Sequence, residues 1–306
     1  MSGTYDVVII GAGPAGLSAA IYAGRARFDT LVLERATPGG QILLTDFIEN
    51  YPGFHEGIAP SQLMENIRKQ AERFGAKIVM DEAQEIHERE SHWHIRGNKE
   101  EYRAKTVIVA TGSAHRKLGI QGEERLTGRG VSFCATCDGA FFQNKVTAVV
   151  GGGNWALTEA LFLTRFCRVV KIIHRRDQLR AEKILQERAF DNPKIEVLWD
   201  TVVDKIDGEK NLKTITVRNV KDNKFSELEL DGLFISIGTV PNNEIVSKLV
   251  ELNEWGEIKV GKDMTVGQKG LYAAGDVTDA CPEQMATAVG TGVAAAIAIT
   301  EYLEEV

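Results

Sequence analysis

The feature that most constrains this chain is a glycine-rich segment that follows an apolar run and opens a helical pattern. In residues 5–34, YDVVIIGAGPAGLSAAIYAGRARFDTLVLE, a β-branched run leads directly into Gly11, Gly13 and Gly16. An Ala-rich stretch and a second apolar run follow, and the second run ends at Glu34. This order predicts a strand, a helix and a second parallel strand, which together form a βαβ unit.

The same order occurs again later in the chain. Residues 146–176, VTAVVGGGNWALTEALFLTRFCRVVKIIHRR, place Gly151, Gly153 and Ala156 at the positions equivalent to the three glycines of the first copy. The second strand of this copy ends at His174. The number of residues between a position of the first copy and its equivalent in the second copy is the same for the three turn positions and for the strand ends Glu34 and His174. We therefore expect two related βαβ units in one chain.

The residue types at these positions suit the binding of a dinucleotide. The first glycine permits a tight turn from strand to helix, and the second lets the backbone approach a pyrophosphate. The third small residue lets the helix pack closely on the strand, and the helix N-terminus offers free N–H groups to phosphate. The sequence therefore predicts an α/β fold with two Rossmann-like dinucleotide-binding domains.

The ends of the two second strands predict different ligands. Glu34 can accept hydrogen bonds from ribose hydroxyls, which suits FAD or NAD. The second tip, HRRDQLRAEK, carries a cationic cluster, and guanidinium groups bind a phosphate through two hydrogen bonds. We therefore expect NADP at the second tip; the alternative is a solvated basic loop balanced by Asp177 and Glu182. The cluster consists of His174, Arg175, Arg176 and Arg180.

Other strand patterns indicate how the domains are arranged. VIVATGS (107–113) and GLYAAGDV (270–277) are assigned to the first unit, while GLFISIGTVPN (232–242) ends the middle region. We predict one dinucleotide-binding domain of residues 1–116 and 245–306, for FAD or NAD, with an NADP-binding domain of residues 117–244 inserted into it. Asp276 is placed to accept a ribityl or ribose hydroxyl, or alternatively to cap the helix that follows.

Composition excludes several classes of protein. The 306 residues carry a formal net charge of −7 and no dense basic run, so we expect no nucleic-acid partner. Apolar runs fall short of the ~20 residues that span a bilayer, and the N-terminus lacks the basic leader of a signal peptide. Four cysteines are too few for a secreted disulfide framework. A cytoplasmic protein without a membrane segment is expected.

Two of those cysteines, Cys134 and Cys137, form a C-x-x-C motif just before the second unit. Zinc would need four ligands, and the sequence contains no second C-x-x-C or H-x-x-x-H motif. A permanent disulfide is disfavoured in a reducing cytosol, so a redox dithiol is the preferred interpretation. A flavin can accept a hydride from a nicotinamide and pass two electrons to a disulfide. Asp138 is a possible proton carrier, or alternatively a helix cap or turn residue.

These motifs together resemble the low-molecular-weight thioredoxin reductases of bacteria and archaea. GAGPAG, GGQ (39–41), ENYPG (49–53), ATG (110–112), CATCDGA (134–140), GGGNxA (151–156), HRRDxxRA (174–181) and AAGDV (273–277) occur in that order over nearly the whole chain. The resemblance implies FAD for the first domain, NADPH for the second, and a homodimer that reduces thioredoxin with NADPH. It also implies that Cys137 faces the flavin, that Cys134 attacks the partner's disulfide and that Asp138 handles protons.

The resemblance also implies the residues that hold the two cofactors. For FAD they are Gly11, Gly13, Pro14, Ala15, Gly16, Glu34, Arg35, Gly40, Gln41, Asn50, Ala110, Thr111, Gly112, Gly275, Asp276, Gln284, Met285 and Ala286. For NADPH they are Gly151, Gly153, Asn154, Ala156, His174, Arg175, Arg176 and Arg180.

Three residues depart from the usual pattern of the family. Trp155 replaces a small hydroxyl residue, Thr158 replaces an acid, and Glu283 replaces a basic residue near the flavin. We expect these departures to affect nucleotide use and the flavin rather than to remove FAD binding. Three alternatives stay open: another electron donor such as ferredoxin, a dithiol oxidase, and a nucleotide-bound redox sensor without turnover.

Overall fold

The structure, a computed structural model, describes residues 3–44, 48 and 50–305, with the backbone alone described at Leu44 and Cys137. The chain divides into two compact units, one of Met1–Leu43, Phe47–Ala114 and Val240–Val306, and one of Leu44–Asp46 and His115–Thr239. Each unit is built on its own parallel sheet.

The helices and strands are numbered along the chain. They are β1 (Tyr5–Ile10), α1 (Pro14–Arg25), β2 (Thr30–Glu34), α2 (Pro60–Arg73), β3 (Lys77–Met80), β4 (Ala83–Arg89), β5 (His92–Gly97), β6 (Glu101–Val109), β7 (Ser113–His115), α3 (Glu123–Leu126), β8 (Val131–Ser132), α4 (Ala135–Asp138), β9 (Val146–Gly151), α5 (Asn154–Leu163), β10 (Val169–Ile173), α6 (Lys183–Phe190), β11 (Ile195–Leu198), β12 (Thr201–Asp207), β13 (Thr214–Asn219), β14 (Phe225–Glu229), β15 (Gly232–Ser236), β16 (Thr239–Pro241), β17 (Leu271–Ala273) and α7 (Met285–Glu305). Two 3-10 turns cover Gly40–Leu44 and Gly139–Phe142.

The first unit is a seven-stranded sheet with a parallel centre. Its order is β3-β2-β1-β6-β5-β4, and β17 pairs with the second half of β6. Alternate residues of each central strand face opposite sides: Val7 and Ile9 pack toward α1, α2 and α7, while Val8 and Ile10 pack toward the other core. Burial on both faces explains why these strands are continuous apolar runs rather than alternating ones.

The second unit repeats this construction on a smaller scale. Its parallel sheet has the order β11-β10-β9-β15-β8, and a three-stranded antiparallel sheet, β12-β13-β14, lies in the same unit. Val149 packs toward α5, whereas Ala148 and Val150 pack toward the antiparallel sheet. With a parallel sheet in each unit, the predicted α/β fold with two Rossmann-like sheets is confirmed.

The two predicted βαβ units match each other in register. In the first, Ile10 pairs with Leu33, and in the second, Val150 pairs with Ile173. Both pairs precede the glycine-rich turn by the same distance, so each sheet delivers its turn and its second-strand tip to the same edge. That edge is where parallel α/β sheets bind ligands.

The chain crosses from the first unit to the second at Ala114–His115 and returns at Thr239–Val240. The two crossing segments pair with each other as a two-stranded sheet of β7 and β16. The inserted segment therefore begins and ends in two strands that are hydrogen-bonded to each other, although they are far apart in the sequence.

One described helix, α7, combines length with an apolar composition. Of the described helices, α7 is long and apolar enough to cross a bilayer by length and composition alone. The structure gives a packing reason for that composition, because its buried positions, among them Ala288, Ala295 and Ile299, recur on one stripe of the helix. Gly292 lies so close to α1 that a Cβ there would meet the Ala15 carbonyl oxygen at 2.1 Å. Small residues are needed wherever two helices approach this closely.

Candidate functional site

The turn of the first unit leaves a helix N-terminus open. Gly13 is the N-cap of α1, makes no capping hydrogen bond and is followed by Pro14 at the first helical position. The N–H groups of Ala15 and Gly16 belong to the first turn, where a helix supplies no acceptor. A Cβ at Gly13 would meet no atom closer than Gly40 Cα at 3.9 Å. This open, electropositive end fits the pyrophosphate of a dinucleotide.

The other glycines of this turn are required by close packing. A Cβ on Gly11, whose φ is +108°, would meet the Ala110 carbonyl oxygen at 2.2 Å. A Cβ on Gly16 would meet the Gly11 carbonyl oxygen at 1.9 Å. The structure therefore brings the predicted residues 110–112, which follow β6, directly over the turn.

Glu34 stands at the end of β2, where it was predicted, and folds back over the same turn. Its carboxylate accepts hydrogen bonds from the Ala12 N–H at 2.8 Å and the Ala36 N–H at 2.9 Å. Carboxylate oxygens can accept more than one hydrogen bond each, so ribose hydroxyls can still be bound. Arg35 is exposed beside it.

Two predicted flavin contacts are held by partners within the first unit. Gln41 donates from Nε2 to the Ser113 carbonyl oxygen at 2.5 Å and to the Ser113 hydroxyl at 3.0 Å. Asn50 donates from Nδ2 to Gln284 Oε1 at 3.2 Å, although the two lie far apart in the sequence. The structure thus places Asn50 and Gln284 in contact, whereas the sequence predicted each of them only as a separate flavin contact.

Asp276 follows β17 in a half-buried position. Burial and, to a smaller extent, the negative charge of Glu283 together raise the pKa of its carboxyl to about 6. The N–H of Gly275, beside it, donates to Thr291 Oγ1 at 3.0 Å. Met285 is buried at the start of α7, and Ala286 is exposed next to it. These predicted residues lie at one end of α7, and the Asp276 carboxylate, which has no hydrogen bond to a described residue, fits a hydroxyl-bearing ligand.

Asn242 is a residue of this unit that the sequence reasoning missed. Its Nδ2 donates to the Thr111 carbonyl oxygen at 2.9 Å, and Thr111 Oγ1 donates to the Asn242 carbonyl oxygen at 2.6 Å. It fixes the ATG turn after β6. The only sequence signal was its place in the Pro-containing turn that ends the middle region.

The turn of the second unit has the same geometry. Gly153 is the N-cap of α5, makes no side-chain capping bond and would leave an added Cβ in open space. A Cβ on Gly151 would meet the Ser236 carbonyl oxygen at 2.3 Å, and Ala156 is fully buried against the turn. Asn154 exchanges hydrogen bonds with Glu182, at 2.8 Å to the carboxylate and 2.7 Å from the backbone N–H.

At the second tip, the structure separates His174 from the arginines. His174 is buried, and its Nδ1 and Nε2 lie 3.0 Å and 2.9 Å from the carbonyl oxygens of Gly151 and Gln178. It therefore holds the turn in place, which differs from the exposed cation that the sequence suggested. The exposed charge of the cluster comes from its arginines, Arg175, Arg176 and Arg180.

The alternative of a charge-balanced loop receives no support from the described residues. Asp177 lies 3.8 Å from Lys221, and Glu182 bonds to Asn154. Within the described part of the chain, none of the three arginines forms an ion pair. Three exposed, unneutralised guanidinium groups beside an open helix N-terminus fit a phosphorylated ribose.

Trp155, in the first turn of α5, is 38% exposed. Its indole stacks on His115, with ring centroids 6.3 Å apart, and His115 stacks on Phe133 at 6.0 Å. Burial lowers the pKa of His115, so this imidazole is neutral at neutral pH. The unusual indole is thus held by stacked aromatic rings of the second unit. No sequence pattern predicted this contact.

The C-x-x-C segment is held by backbone hydrogen bonds. Cys134 is disulfide-bonded and 7% exposed, while Cys167 and Cys281 are free thiols. The Cys134 N–H donates to Ser132 Oγ at 3.0 Å, and its carbonyl oxygen accepts the Asp138 N–H at 3.2 Å. The side chain of Cys137 lies outside the described residues, so its predicted orientation stays a prediction.

Asp138 is half-buried at the end of α4. Its side chain makes no capping hydrogen bond to the 3-10 turn that follows, which disfavours the helix cap but leaves the proton carrier and the turn residue as predictions. Groups of three or more metal-ligating side chains are absent from the residues that the structure describes.

Two further residues near this segment were not assigned a role from the sequence. Glu159 is buried on α5 and accepts the Ala135 N–H at 2.8 Å. Phe141 is 73% exposed, whereas Phe142 is buried. No sequence pattern distinguished the exposed phenylalanine from the buried one.

Comparisons with known proteins show the family to which the chain is related. The pyridine nucleotide-disulphide oxidoreductase family matches residues 5–292. A thioredoxin reductase of Streptomyces coelicolor is 46% identical over 99% of this chain and 95% of its own length. One from Bacillus subtilis is 43% identical over 98% of this chain and 95% of its own. The crystal structure of Lactococcus lactis thioredoxin reductase has a TM-score of 0.95 at 43% identity, over 99% of this chain and all of that one.

Removal of two exposed arginines is expected to weaken the binding of NADPH but not the binding of NADH. For Arg175→Ala combined with Arg180→Ala, we expect the KM for NADPH to rise about tenfold to a hundredfold, because charge-assisted hydrogen bonds to the 2′-phosphate are lost. The KM for NADH should not change. Arg188→Ala, an exposed arginine of α6 in the same unit, is the control. Equal losses for both nucleotides would contradict the assignment.

The raised pKa of Asp276, about 6, predicts a pH-dependent affinity for FAD. An ionised carboxylate accepts a ligand hydroxyl more strongly than a protonated one, so affinity of the apoprotein should fall below pH 6, by at most about tenfold per pH unit. Flavin fluorescence titrations between pH 7 and pH 5 measure this. Asp276→Asn should bind more weakly at pH 7 with little pH dependence, and Glu283→Gln should move the fall to lower pH. A wild-type affinity that is flat over this range would refute the role.

Proposed function

The chain belongs to the pyridine nucleotide-disulphide oxidoreductases and, within them, to the low-molecular-weight thioredoxin reductases; on this premise we propose that it reduces the disulfide of thioredoxin with electrons from NADPH. The resemblance stated from the sequence motifs is thereby confirmed. The electrons pass through FAD and a dithiol of Cys134 and Cys137. The observation that carries the proposal is a disulfide-bonded Cys134 in a chain with two open glycine turns of opposite tip charge.

The tips assign one cofactor to each turn. The first turn, with the acidic tip Glu34, holds FAD in the domain predicted as residues 1–116 and 245–306. The second, with its arginine tip, holds NADPH in residues 117–244. An acid beside a 2′-phosphate would repel it, and an arginine cluster beside an unphosphorylated ribose would have no partner. The charges therefore support this assignment over the reverse one.

FAD, when bound, supplies the chemistry of accepting a hydride and passing two electrons to a disulfide. The residues of the chain do the rest. Gln41, Asn50 and Asp276 orient the flavin by hydrogen bonds, and the N–H groups at the start of α1 bind its pyrophosphate. Asp138 exchanges protons with the dithiol, since each sulfur gains or loses a proton with the electrons.

The two cysteines have unequal tasks in this proposal. Cys137 faces the flavin, and Cys134 attacks the disulfide of thioredoxin. Because Cys134 is 7% exposed in its disulfide form, exchange with a protein partner requires the segment to become accessible. The paired crossings β7 and β16 give the chain two adjacent places at which to bend.

The partner and the setting complete the proposal. Phe141, four residues after Cys137, offers an exposed aromatic ring to thioredoxin, and aromatic residues are enriched at the centre of protein interfaces. We include the homodimer and the cytoplasmic location, where NADPH and reducing conditions support dithiol exchange. Neither a membrane nor a nucleic acid takes part.

Cys137→Ser is expected to abolish thioredoxin reduction and to leave reduction of the flavin by NADPH intact. The disulfide cannot form without the second sulfur, whereas hydride transfer to the flavin does not require it. Stopped-flow absorbance at the flavin band and a coupled thioredoxin assay measure the two steps. Cys281→Ser, a change at an exposed free thiol, is the matched control. Full thioredoxin turnover by Cys137→Ser would show that the electron path is wrong.

The function itself is tested by anaerobic titration of the flavin-loaded protein with NADPH and then with NADH. Prompt bleaching of the flavin by NADPH, and weaker bleaching by NADH, is the expected result. Reduced thioredoxin should bleach the flavin as well, because dithiol–disulfide exchange is reversible. Bleaching by thioredoxin without bleaching by NADPH would assign the chain to another electron donor, with Trp155 in the nucleotide helix as the reason. A flavin that is not bleached by NADPH, NADH or reduced thioredoxin would refute the proposal.

A further inference from the structure

A buried carboxylate in the second unit has no part in the steps described above. Glu159 is 5% exposed and lies on α5, whose other buried residues are Ala156, Leu157, Ala160 and Leu163. Taking a carboxylate out of water is costly unless its oxygens are hydrogen-bonded. The presence of a buried carboxylate on an otherwise apolar face of α5 therefore needs a structural or functional explanation.

Both oxygens of this carboxylate are occupied. Oε1 accepts the Ala135 N–H at 2.8 Å, and Oε2 accepts a hydrogen bond from the Ser236 hydroxyl. Ser236 is itself buried and is the last residue of β15. The side chain of Glu159 therefore connects three elements of one unit: α4, α5 and β15.

The position of the first partner makes this connection relevant to redox chemistry. Ala135 follows Cys134 directly and opens α4, the short helix that carries Cys137. On the other side, the Cys134 N–H donates to Ser132 Oγ, and the Ser132 hydroxyl lies 3.3 Å from the Cys134 carbonyl oxygen. The backbone on both sides of Cys134 is thus fixed by side-chain acceptors, and only Glu159 among them is a carboxylate.

The second partner connects the same carboxylate to the nucleotide turn. Ser236 pairs with Gly151 in the register of β15 and β9, and its carbonyl oxygen occupies the space that a Cβ on Gly151 would need. The C-x-x-C segment and the glycine turn are therefore held in one hydrogen-bonded frame inside the second unit.

We propose that Glu159 is a positioning residue of the dithiol, which fixes the peptide after Cys134 to the end of β15 and disfavours the thiolate of Cys134. This inference rests on the proposed function. Reduction breaks the S–S bond and adds two electrons, supplied by reduced FAD. One proton is taken up at each sulfur that is not left as a thiolate. A nearby carboxylate disfavours the thiolate by charge repulsion, so it favours the disulfide.

The electrostatics of Glu159 agree with a role at neutral pH. Burial raises the pKa of its carboxyl to about 7, against the opposing effect of the hydrogen bonds from Ser236 and Ala135. A substantial fraction of the molecules therefore carries the negative charge at pH 7.5. Among the described side chains of the surrounding segment and core, Asp138 and Cys167 are ionisable, and Cys134 becomes so when its disulfide is reduced.

The test compares two substitutions in the FAD-loaded protein. Glu159→Gln keeps an acceptor for the Ala135 N–H and an amide facing Ser236, but it removes the charge. Glu159→Ala removes both and leaves the Ala135 N–H and the Ser236 hydroxyl without their partner. Glu187→Gln makes the same carboxylate-to-amide change at an exposed position of α6 and is the matched control.

The first measurement is the dithiol–disulfide equilibrium in glutathione redox buffers, read by alkylation of thiols at pH 7.5. For Glu159→Gln we expect a shift of about threefold to tenfold toward the reduced form, where tenfold corresponds to about 29.6 mV for a two-electron couple. Glu187→Gln should match the wild type. An equilibrium of Glu159→Gln equal to that of the wild type would overturn the charge part of the proposal.

The second measurement is the rate of electron transfer from reduced flavin to the disulfide, followed in single turnovers. We expect Glu159→Ala to slow this step at least tenfold, while Glu159→Gln and the rate of flavin reduction by NADPH stay near wild type. A lower thermal stability of Glu159→Ala with an unchanged transfer rate would reduce Glu159 to a structural residue. The equilibrium measurement needs no thioredoxin, so failure of the proposed function and failure of this inference are distinguishable.

Discussion

The close crossing of a strand end over a glycine turn is the constraint on which the rest of the structure depends. In the first unit the Ala110 carbonyl oxygen occupies the space beside Gly11, and in the second the Ser236 carbonyl oxygen does so beside Gly151. Only a residue without a Cβ tolerates these approaches. Because the turn is held so tightly, the following helix begins with its N-cap glycine open to a ligand, and the second strand ends beside it.

From this shared geometry, the chemistry of each unit is decided by a few side chains at the rim. An acid at the end of β2, and three arginines after β10 that form no ion pair with the described residues, are the basis on which we propose opposite preferences of the two turns for a phosphorylated ribose. The C-x-x-C segment then belongs to the arginine-bearing unit, where Ser132 and Glu159 hold its backbone. In the proposed function, one copy of this architecture binds the electron donor, the other binds the flavin, and the C-x-x-C segment passes the electrons on.

The sequence was sufficient for the parts that depend on local rules. Glycine spacing and apolar runs predicted both sheets and both turns, whereas the preference of each strand tip for FAD or NADPH stays a prediction. The sequence was insufficient where a side chain meets a distant part of the chain. The burial of His174 between two carbonyl oxygens, the stacking of Trp155 on His115 and the contact of Asn50 with Gln284 depend on tertiary packing. So does the apolar character of α7, which composition alone cannot distinguish from a membrane span.

The pairing of β7 with β16 has a consequence for the origin of this architecture. Because the inserted unit begins and ends in neighbouring strands, it closes on itself and adds no long loop to the unit that hosts it. Loop closure of this kind costs little entropy, and domains with adjacent termini are the ones that tolerate insertion into another domain. The second unit is thus a self-contained module. The match of its βαβ register to that of the first unit is what is expected if the segment was duplicated and the copy was inserted into the original domain.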